Sequence, residues 1–253
     1  KTGAVLWMWM LWMCVIGLCL AGLAEMASAQ VPRIQGQGAA ASAMTNAFTA
    51  QADDPSALHY NPAGMTQLQG VQLMAGALAS GGSTNFTSLA GATASGDRNG
   101  SAAWPPPGHT YITANLKSLG VTALGDLSVG IGLTAPFGSL TRWPNDGPFR
   151  SATTFSTLPL LDIKPTLAYK VTENLSLGLG ADIYTFSSLV GEGQAERYAI
   201  PVAGVKTELN GKGTAAGFNA SLLYTALRND DGKSLANIGI VYRSQATLHL
   251  SGA

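Results

Sequence analysis

The chain has 253 residues, of which only 11% are charged, less than half the share of an ordinary soluble domain. Lys+Arg and Asp+Glu balance at 14 each, so no net field draws it to nucleic acid, an anionic bilayer or an acidic partner. Its 31 glycines, with abundant Ser, Thr and Ala, point away from a helical fold and towards an all-β one built of extended chain and tight turns.

Ala4 to Leu23 form an almost unbroken apolar run containing Trp7, Trp9 and Trp12, and Ala27-Ser28-Ala29 follows it. Small residues at Ala27 and Ala29 suit a cleavage site, which predicts a signal peptide over residues 1–29. The run exceeds the usual apolar core of roughly 7 to 15 residues, so a retained anchor is the alternative. Cys14 follows Met13 and Cys19 follows Leu18, where lipid attachment needs a small residue. Beyond residue 29 the chain has no cysteine, so it can build neither a disulfide nor a Cys/His zinc site, which is compatible with export.

Residues 30–67 have a different texture. Ala39 to Phe48 is small and helix-compatible but too short to stand alone. Asp54-Pro55 supplies a helix cap and a first-turn proline, and Asn61-Pro62 ends that short helix because the proline ring bars helical geometry just before it. The segment is predicted as an α-helical plug, with a disordered or capping arm as the alternative.

From residue 71 onward apolar residues alternate with polar or small ones, so one face of each strand is greasy and the other is not. Leu127, Val129, Ile131, Leu133 and Ala135 alternate with Ser128, Gly130, Gly132 and Thr134. The pattern returns in 161–171, 174–183 and 237–250, and more weakly in 71–80, 109–117 and 214–227. Seven strands result, most near the roughly 9 to 11 residues of a tilted membrane strand. Gaps between them alternate strictly: long at 81–108, 137–159 and 187–213, short at 118–125, 172–173 and 228–235. A β-sandwich has no reason to sort its loops by parity, whereas an outer-membrane barrel has tight periplasmic turns and long external loops.

The apolar faces are then expected to meet lipid, with Asp162, Lys164, Asp182, Arg243 and Gln245 pointing into a polar lumen. A Lys or Arg facing lipid at mid-bilayer costs roughly 2 to 4 kcal/mol, which is why all charges share the inward parity. Pro165 predicts a bulge or strand end. Because barrels of this kind close with an even strand number, residues 68–253 are expected to be the N-terminal half of a transmembrane antiparallel β-barrel.

Gly38-Ala39-Ala40-Ala41-Ser42-Ala43-Met44, Ala52-Asp53-Asp54-Pro55-Ser56 and Tyr60-Asn61-Pro62-Ala63-Gly64-Met65 resemble, in order and spacing, the hatch of the FadL family of outer-membrane long-chain fatty acid transporters. Thr134-Ala135-Pro136-Phe137-Gly138, Lys164-Pro165-Thr166-Leu167-Ala168-Tyr169 and Tyr242-Arg243-Ser244 resemble its third, fourth and seventh strands. The family includes relatives that admit aromatic hydrocarbons. The resemblance implies a monomeric barrel of about fourteen strands in the bacterial outer membrane, of which seven are here. It also implies passive, cofactor-free and metal-free transport of long-chain fatty acids or similar hydrophobic compounds. External loops catch the amphiphile, a lumen pocket holds it, and it leaves sideways at an inward kink of the third strand.

On the same resemblance, Asn61, Pro62 and Ala63 gate the exit and sit near it, while Ala135, Pro136, Phe137 and Gly138 make the kink. Arg197, in Glu196-Arg197-Tyr198, pairs with the ligand carboxylate, with Arg150 as a substitute. Trp143, Phe149 and Phe155 contact the acyl chain, or else belong to an interfacial aromatic belt. A structural or adhesin barrel and an outer-membrane hydrolase are the competing readings. The hydrolase has little to stand on, because His59, His109 and His249 are scattered and no nucleophile motif accompanies them.

Overall fold

The computed structural model describes residues 33–79, 82–98, 108–137, 140–186, 191–198 and 205–252. The expected signal peptide and Gly138 lie outside the described residues. Thirteen strands are described: β1 (Val71–Ala77), β2 (Ser83–Thr87), β3 (Thr93–Arg98), β4 (Gly108–Asn115), β5 (Leu127–Phe137), β6 (Leu140–Arg142), β7 (Phe155–Thr157), β8 (Leu160–Lys170), β9 (Leu175–Thr185), β10 (Gly193–Tyr198), β11 (Lys206–Gly211), β12 (Ala215–Arg228) and β13 (Ser234–Arg243).

The seven strands expected from periodicity form one antiparallel sheet in the order β1-β4-β5-β8-β9-β12-β13, so each pairs with its neighbour in that series. The sheet curls as half of a barrel. Its sidedness is inverted relative to a soluble protein. Ile131 and Leu167 are each 51% exposed, Leu179 57% and Ile240 60%, while Asp162 and Lys164 on the opposite face are fully buried. Ile112 lies opposite Ile131 and Leu167 opposite Leu179, so the apolar face is continuous across strands, as expected of a barrel wall covered by hydrocarbon. Among the described residues no helix is long and apolar enough to cross a membrane.

Several expectations need correction. The long gaps, expected as loops, hold β2, β3, β6, β7, β10 and β11, which join in a second sheet of order β11-β10-β7-β6-β3-β2. All six lie in long gaps, so the parity of the connections survives although their irregularity does not. Their sequences, such as Ser83-Thr84-Asn85-Phe86-Thr87, are too short and polar to show a period. The last barrel strand stops at Arg243 rather than continuing to 250, and Ser251 instead bridges to Lys212. Gln245 therefore lies beyond the strand and is exposed.

Pro165 makes neither a bulge nor a strand end. β8 runs through it, Pro165 stays opposite Ile131 of β5, and the β8–β9 pairing resumes in register at Thr166–Gly180. The bulge sits in β5 instead. Thr134 is opposite Asp162 and Phe137 is opposite Leu160, so three steps along β5 match two along β8.

The N-terminal segment is not the helical body expected. It has two short helices, α1 (Ala39–Ala43) and α2 (Ala57–Tyr60), then a 3-10 turn over Pro62–Gln67, with irregular chain between. Thr45 and Asn46 take left-handed backbone angles, which stops α1 well short of Phe48. The Asp54 carboxylate accepts from the backbone N–H of Ser56 at 2.8 Å, fixing the turn that leads into α2. Ala52, Ala57, Leu58 and Met65 are fully buried and cluster with Tyr111 of β4 and Ala168 of β8. This is the apolar core of the described region, and it lies between the segment and the sheet.

The exposed face makes a direct prediction. Leu179→Arg should lower the stability of the barrel in phospholipid vesicles by about 2 to 4 kcal/mol if the residue lies near the bilayer midplane. Denaturant titration followed by tryptophan fluorescence reads the change. A loss within the error of the wild-type titration would mean that Leu179 does not face lipid.

Candidate functional site

The N-terminal segment is seated on the polar face of the sheet by local and non-local bonds. Asn61 has extended angles (φ −156°, ψ 94°), which ends α2, and its Oδ1 accepts from Ala63 N–H at 3.1 Å to start the 3-10 turn at Pro62. One asparagine therefore closes one helix and caps the next. Its Nδ2 donates to Thr49 O at 2.7 Å and to Leu222 O of β12 at 3.1 Å. Ala63 N–H also donates to Ser221 Oγ of β12 at 2.9 Å, and Thr66 Oγ1 lies 2.7 Å from Ser176 Oγ of β9.

Asn61-Pro62-Ala63 thus rests on β9 and β12. A Cβ at Gly178 of β9 would come within 2.5 Å of Ala63 N and 2.7 Å of Pro62 Cβ, so only glycine permits this approach. The motif is not at the kink of β5, where it was expected. Residues 33–37 are there instead. Arg33 bridges to Phe137, Ile34 N–H donates to Pro136 O at 2.7 Å, and Gln37 Nε2 donates to Ala135 O at 3.2 Å. The chain at Arg33–Gln37 thus lines the stretch in which the β5–β8 register slips.

A buried ion cluster lies beneath. Lys164 Nζ is 2.7 Å from Asp162 Oδ2 and also pairs with Asp182, while Arg243 Nη1 reaches Asp182 Oδ1 at 3.4 Å. Asn219 Nδ2 donates to the other Asp182 oxygen at 3.0 Å, and Arg243 Nη2 donates to the backbone oxygen of His59. The Asp162–Lys164 contact is an ion pair without hydrogen-bond alignment, and Asp162 Oδ1 has no partner. β8, β9, β12 and β13 are thereby connected to α2. Burial holds the His59 imidazole well below its usual range, and the charges of Arg243, Lys164 and Arg33 push the same way.

Between the segment and β13 a cavity of about 360 Å³ is lined by Arg33, Asn46, His59, Tyr60, Val241 and Arg243, among others. Among the described residues no His, Cys, Asp and Glu grouping is arranged to hold a metal.

The remaining candidates lie on the second sheet and its connections. Phe149 packs against Phe86 at 4.7 Å and Trp143 at 4.5 Å between ring centroids, and Arg142 covers Phe155 at 5.5 Å. Arg150 follows Phe149 and leaves its buried Nε unpaired. Arg197 is exposed on β10 opposite Thr207 and does not line the cavity. Sequence reasoning missed Arg33 as a site residue, for which no motif exists. It placed Arg243 on the inner face by parity without finding its partner in the segment.

A sequence profile described as outer membrane protein transport protein (OMPP1/FadL/TodX) matches residues 17–253. The chain belongs to this family. Members are transporters rather than enzymes, and their place is the outer membrane. The fold agrees with a solved relative: the crystal structure of a Pseudomonas aeruginosa FadL homologue aligns with a TM-score of 0.53 at 16% identity, over 88% of this chain and 55% of that one. The chain therefore spans about half the length of that relative. No curated protein matches the sequence.

Gly178→Val tests the seat of the N-terminal segment. The added side chain has no room against Pro62 and Ala63, so the segment should loosen at a cost of about 1 to 3 kcal/mol. The prediction is faster trypsin cleavage at Arg33 while the heat-modifiable migration of the folded barrel is kept. Unchanged cleavage would mean that the segment does not press on β9.

Proposed function

We infer that this chain is the N-terminal half of a passive outer-membrane transporter for long-chain fatty acids or similar hydrophobic compounds. Residues 30–67 act as its hatch. The observation that carries this reading is the slip of β5–β8 register between Thr134 and Phe137, which leaves Ala135 and Pro136 without a β8 partner, while Arg33 bridges to Phe137 and Ile34 N–H donates to Pro136 O. A proline has no N–H to give, so Pro136 interrupts a ladder at little cost, and so short a pairing with residues 33–34 is easily released. A membrane wall otherwise pairs all of its backbone groups.

The route starts at the second sheet. The Phe86–Trp143–Phe149 cluster and Phe155 offer apolar and aromatic surface to an acyl chain or aromatic ring, with Arg150 and Arg197 as cations beside it. The compound passes into the barrel and leaves between β5 and β8 when the hatch strand lets go. Asn61-Pro62-Ala63 serves as the fixed end about which that movement occurs, because it is bonded to β12 and pressed against β9. No energy source is needed, since the gradient of an insoluble compound into lipid drives the last step.

A reversible lock tests the exit. Ile34 and Pro136 are backbone partners, at a spacing a disulfide accepts, and no other cysteine follows residue 29. Ile34→Cys with Pro136→Cys should take up a fluorescent fatty acid normally when reduced and lose most uptake when oxidised. Equal uptake in both redox states of a fully cross-linked protein would exclude this exit.

A further inference from the structure

We propose that the turn between β4 and β5, Leu116 to Asp126, is an anchor that lies in the headgroup region of the adjoining phospholipid leaflet, with Leu119, Val121 and Leu124 as its inserted side chains. The inference goes beyond the transport reading and does not depend on it. It rests on the apolar outer face of the sheet.

The first observation is a contrast among the three short connections at this end of the sheet, the end that barrels of this kind turn towards the periplasm. Thr172-Glu173-Asn174 leads from β8 into β9, and Asn229-Asp230-Asp231-Gly232-Lys233 joins β12 to β13. Both are polar, and Arg228 donates to the backbone oxygens of Glu173 and Gly232 and so ties them together. The turn between β4 and β5 instead reads Leu119-Gly120-Val121-Thr122-Ala123-Leu124, and its three large apolar side chains are 44% to 54% exposed. It is not loose chain. The N–H groups of Leu119 and Val121 both donate to Leu116 O, that of Gly120 to Lys117 O and that of Gly125 to Thr122 O, so the apolar side chains are displayed on a fixed shape.

The second observation is where the turn lies. Tyr169 is on the lipid-facing side of β8, in the row Leu127, Tyr169, Leu177 that crosses β5, β8 and β9. Its ring meets Gly125: a Cβ there would come within 2.7 Å of Tyr169 Oη and 3.2 Å of the ring. The turn therefore leans against the outer side of the wall and not over the lumen. Tyr224, also exposed, holds the next position along that face, opposite Leu175. Tyrosines on the outer face of a barrel mark the level of the headgroups, and the turn begins at that level.

The third observation is charge. Lys117 is paired with Asp126 at 3.2 Å and Lys170 with Glu173 at 3.5 Å. The lysines beside the turn are thus neutralised within the protein, so its attraction to the bilayer is apolar and needs no anionic lipid. A zwitterionic headgroup layer backed by the first methylenes of the acyl chains matches such a surface, and it begins where the lipid-facing strands end. Anchoring this turn fixes the depth of β5, whose other end carries the register slip between Thr134 and Phe137.

The test labels Val121→Cys with an environment-sensitive fluorophore in an otherwise cysteine-free version of the whole protein in zwitterionic phospholipid vesicles. Asp231→Cys, on the turn between β12 and β13, is the aqueous reference, and heat-modifiable migration checks that both variants are folded. The label at position 121 should emit further to the blue than that at 231 and lose quenching by aqueous iodide. It should gain quenching by a nitroxide carried near the headgroup end of the acyl chains, at a depth of roughly 5 to 10 Å. None of this should change at about 1 M salt, where the screening length is about 3 Å. Equal iodide quenching at both positions without nitroxide quenching would overturn the anchor. Shielding from iodide without nitroxide quenching would also overturn it and mark a protein covering on the turn. Nitroxide quenching that disappears at high salt would overturn the apolar basis of the attachment.

Discussion

The structure depends on one buried interaction, the ion cluster of Lys164 with Asp162 and Asp182 and of Asp182 with Arg243. In a soluble protein such a cluster is a doubtful asset, because desolvating ions offsets most of their attraction. Here the choice is different. The opposite face of the sheet is the apolar one, so strand parity forces every charge inward, where it must find partners among its neighbours or in the hatch. The Arg243 bond to the His59 backbone extends the cluster from wall to hatch. Removing one partner would leave a buried charge bare, at a cost of about 3 to 5 kcal/mol.

This arrangement separates a fixed part of the hatch from a releasable one. The half around Asn61 and Thr66 is held by side-chain bonds to β9 and β12 and by the close approach at Gly178. The half around Arg33 and Ile34 is held by a short backbone pairing to residues that the wall itself does not fully use. On the proposed function, a hatch that opens without leaving the barrel needs such asymmetry. A segment anchored with equal strength along its length would either stay shut or come away whole.

How much of this the sequence could reveal follows from the range of each interaction. The barrel strands were legible because a period of two is written in each strand alone, as in Leu127 to Ala135, and the inward parity of Lys164 and Arg243 followed from it. The second sheet was not legible, since strands such as β2 and β6 are short and acquire their shape only by pairing with segments far along the chain. The hatch helices were overestimated for a related reason: local propensity favours helix through Phe48, but Thr45 and Asn46 turn the chain left-handed to fit the wall. The seat of Asn61-Pro62-Ala63 depended on a hole at Gly178 and a hydroxyl at Ser221, which no feature of the motif announces. The bulge expected at Pro165 is absent because register belongs to the pair of strands and not to either, while the slip in β5 falls between Thr134 and Phe137, in the stretch where the family resemblance put a kink.

The central claim is that the charge cluster docks the hatch on the inner wall. Hydrogen–deuterium exchange in lipid bilayers measures this directly. The amides of Leu58, His59 and Ala63 should exchange as slowly as those of β9 in the native protein, and Asp182→Asn should speed the hatch amides selectively while β9 stays protected. Fast hatch exchange in the native protein, or hatch protection unaltered by Asp182→Asn, would contradict the account.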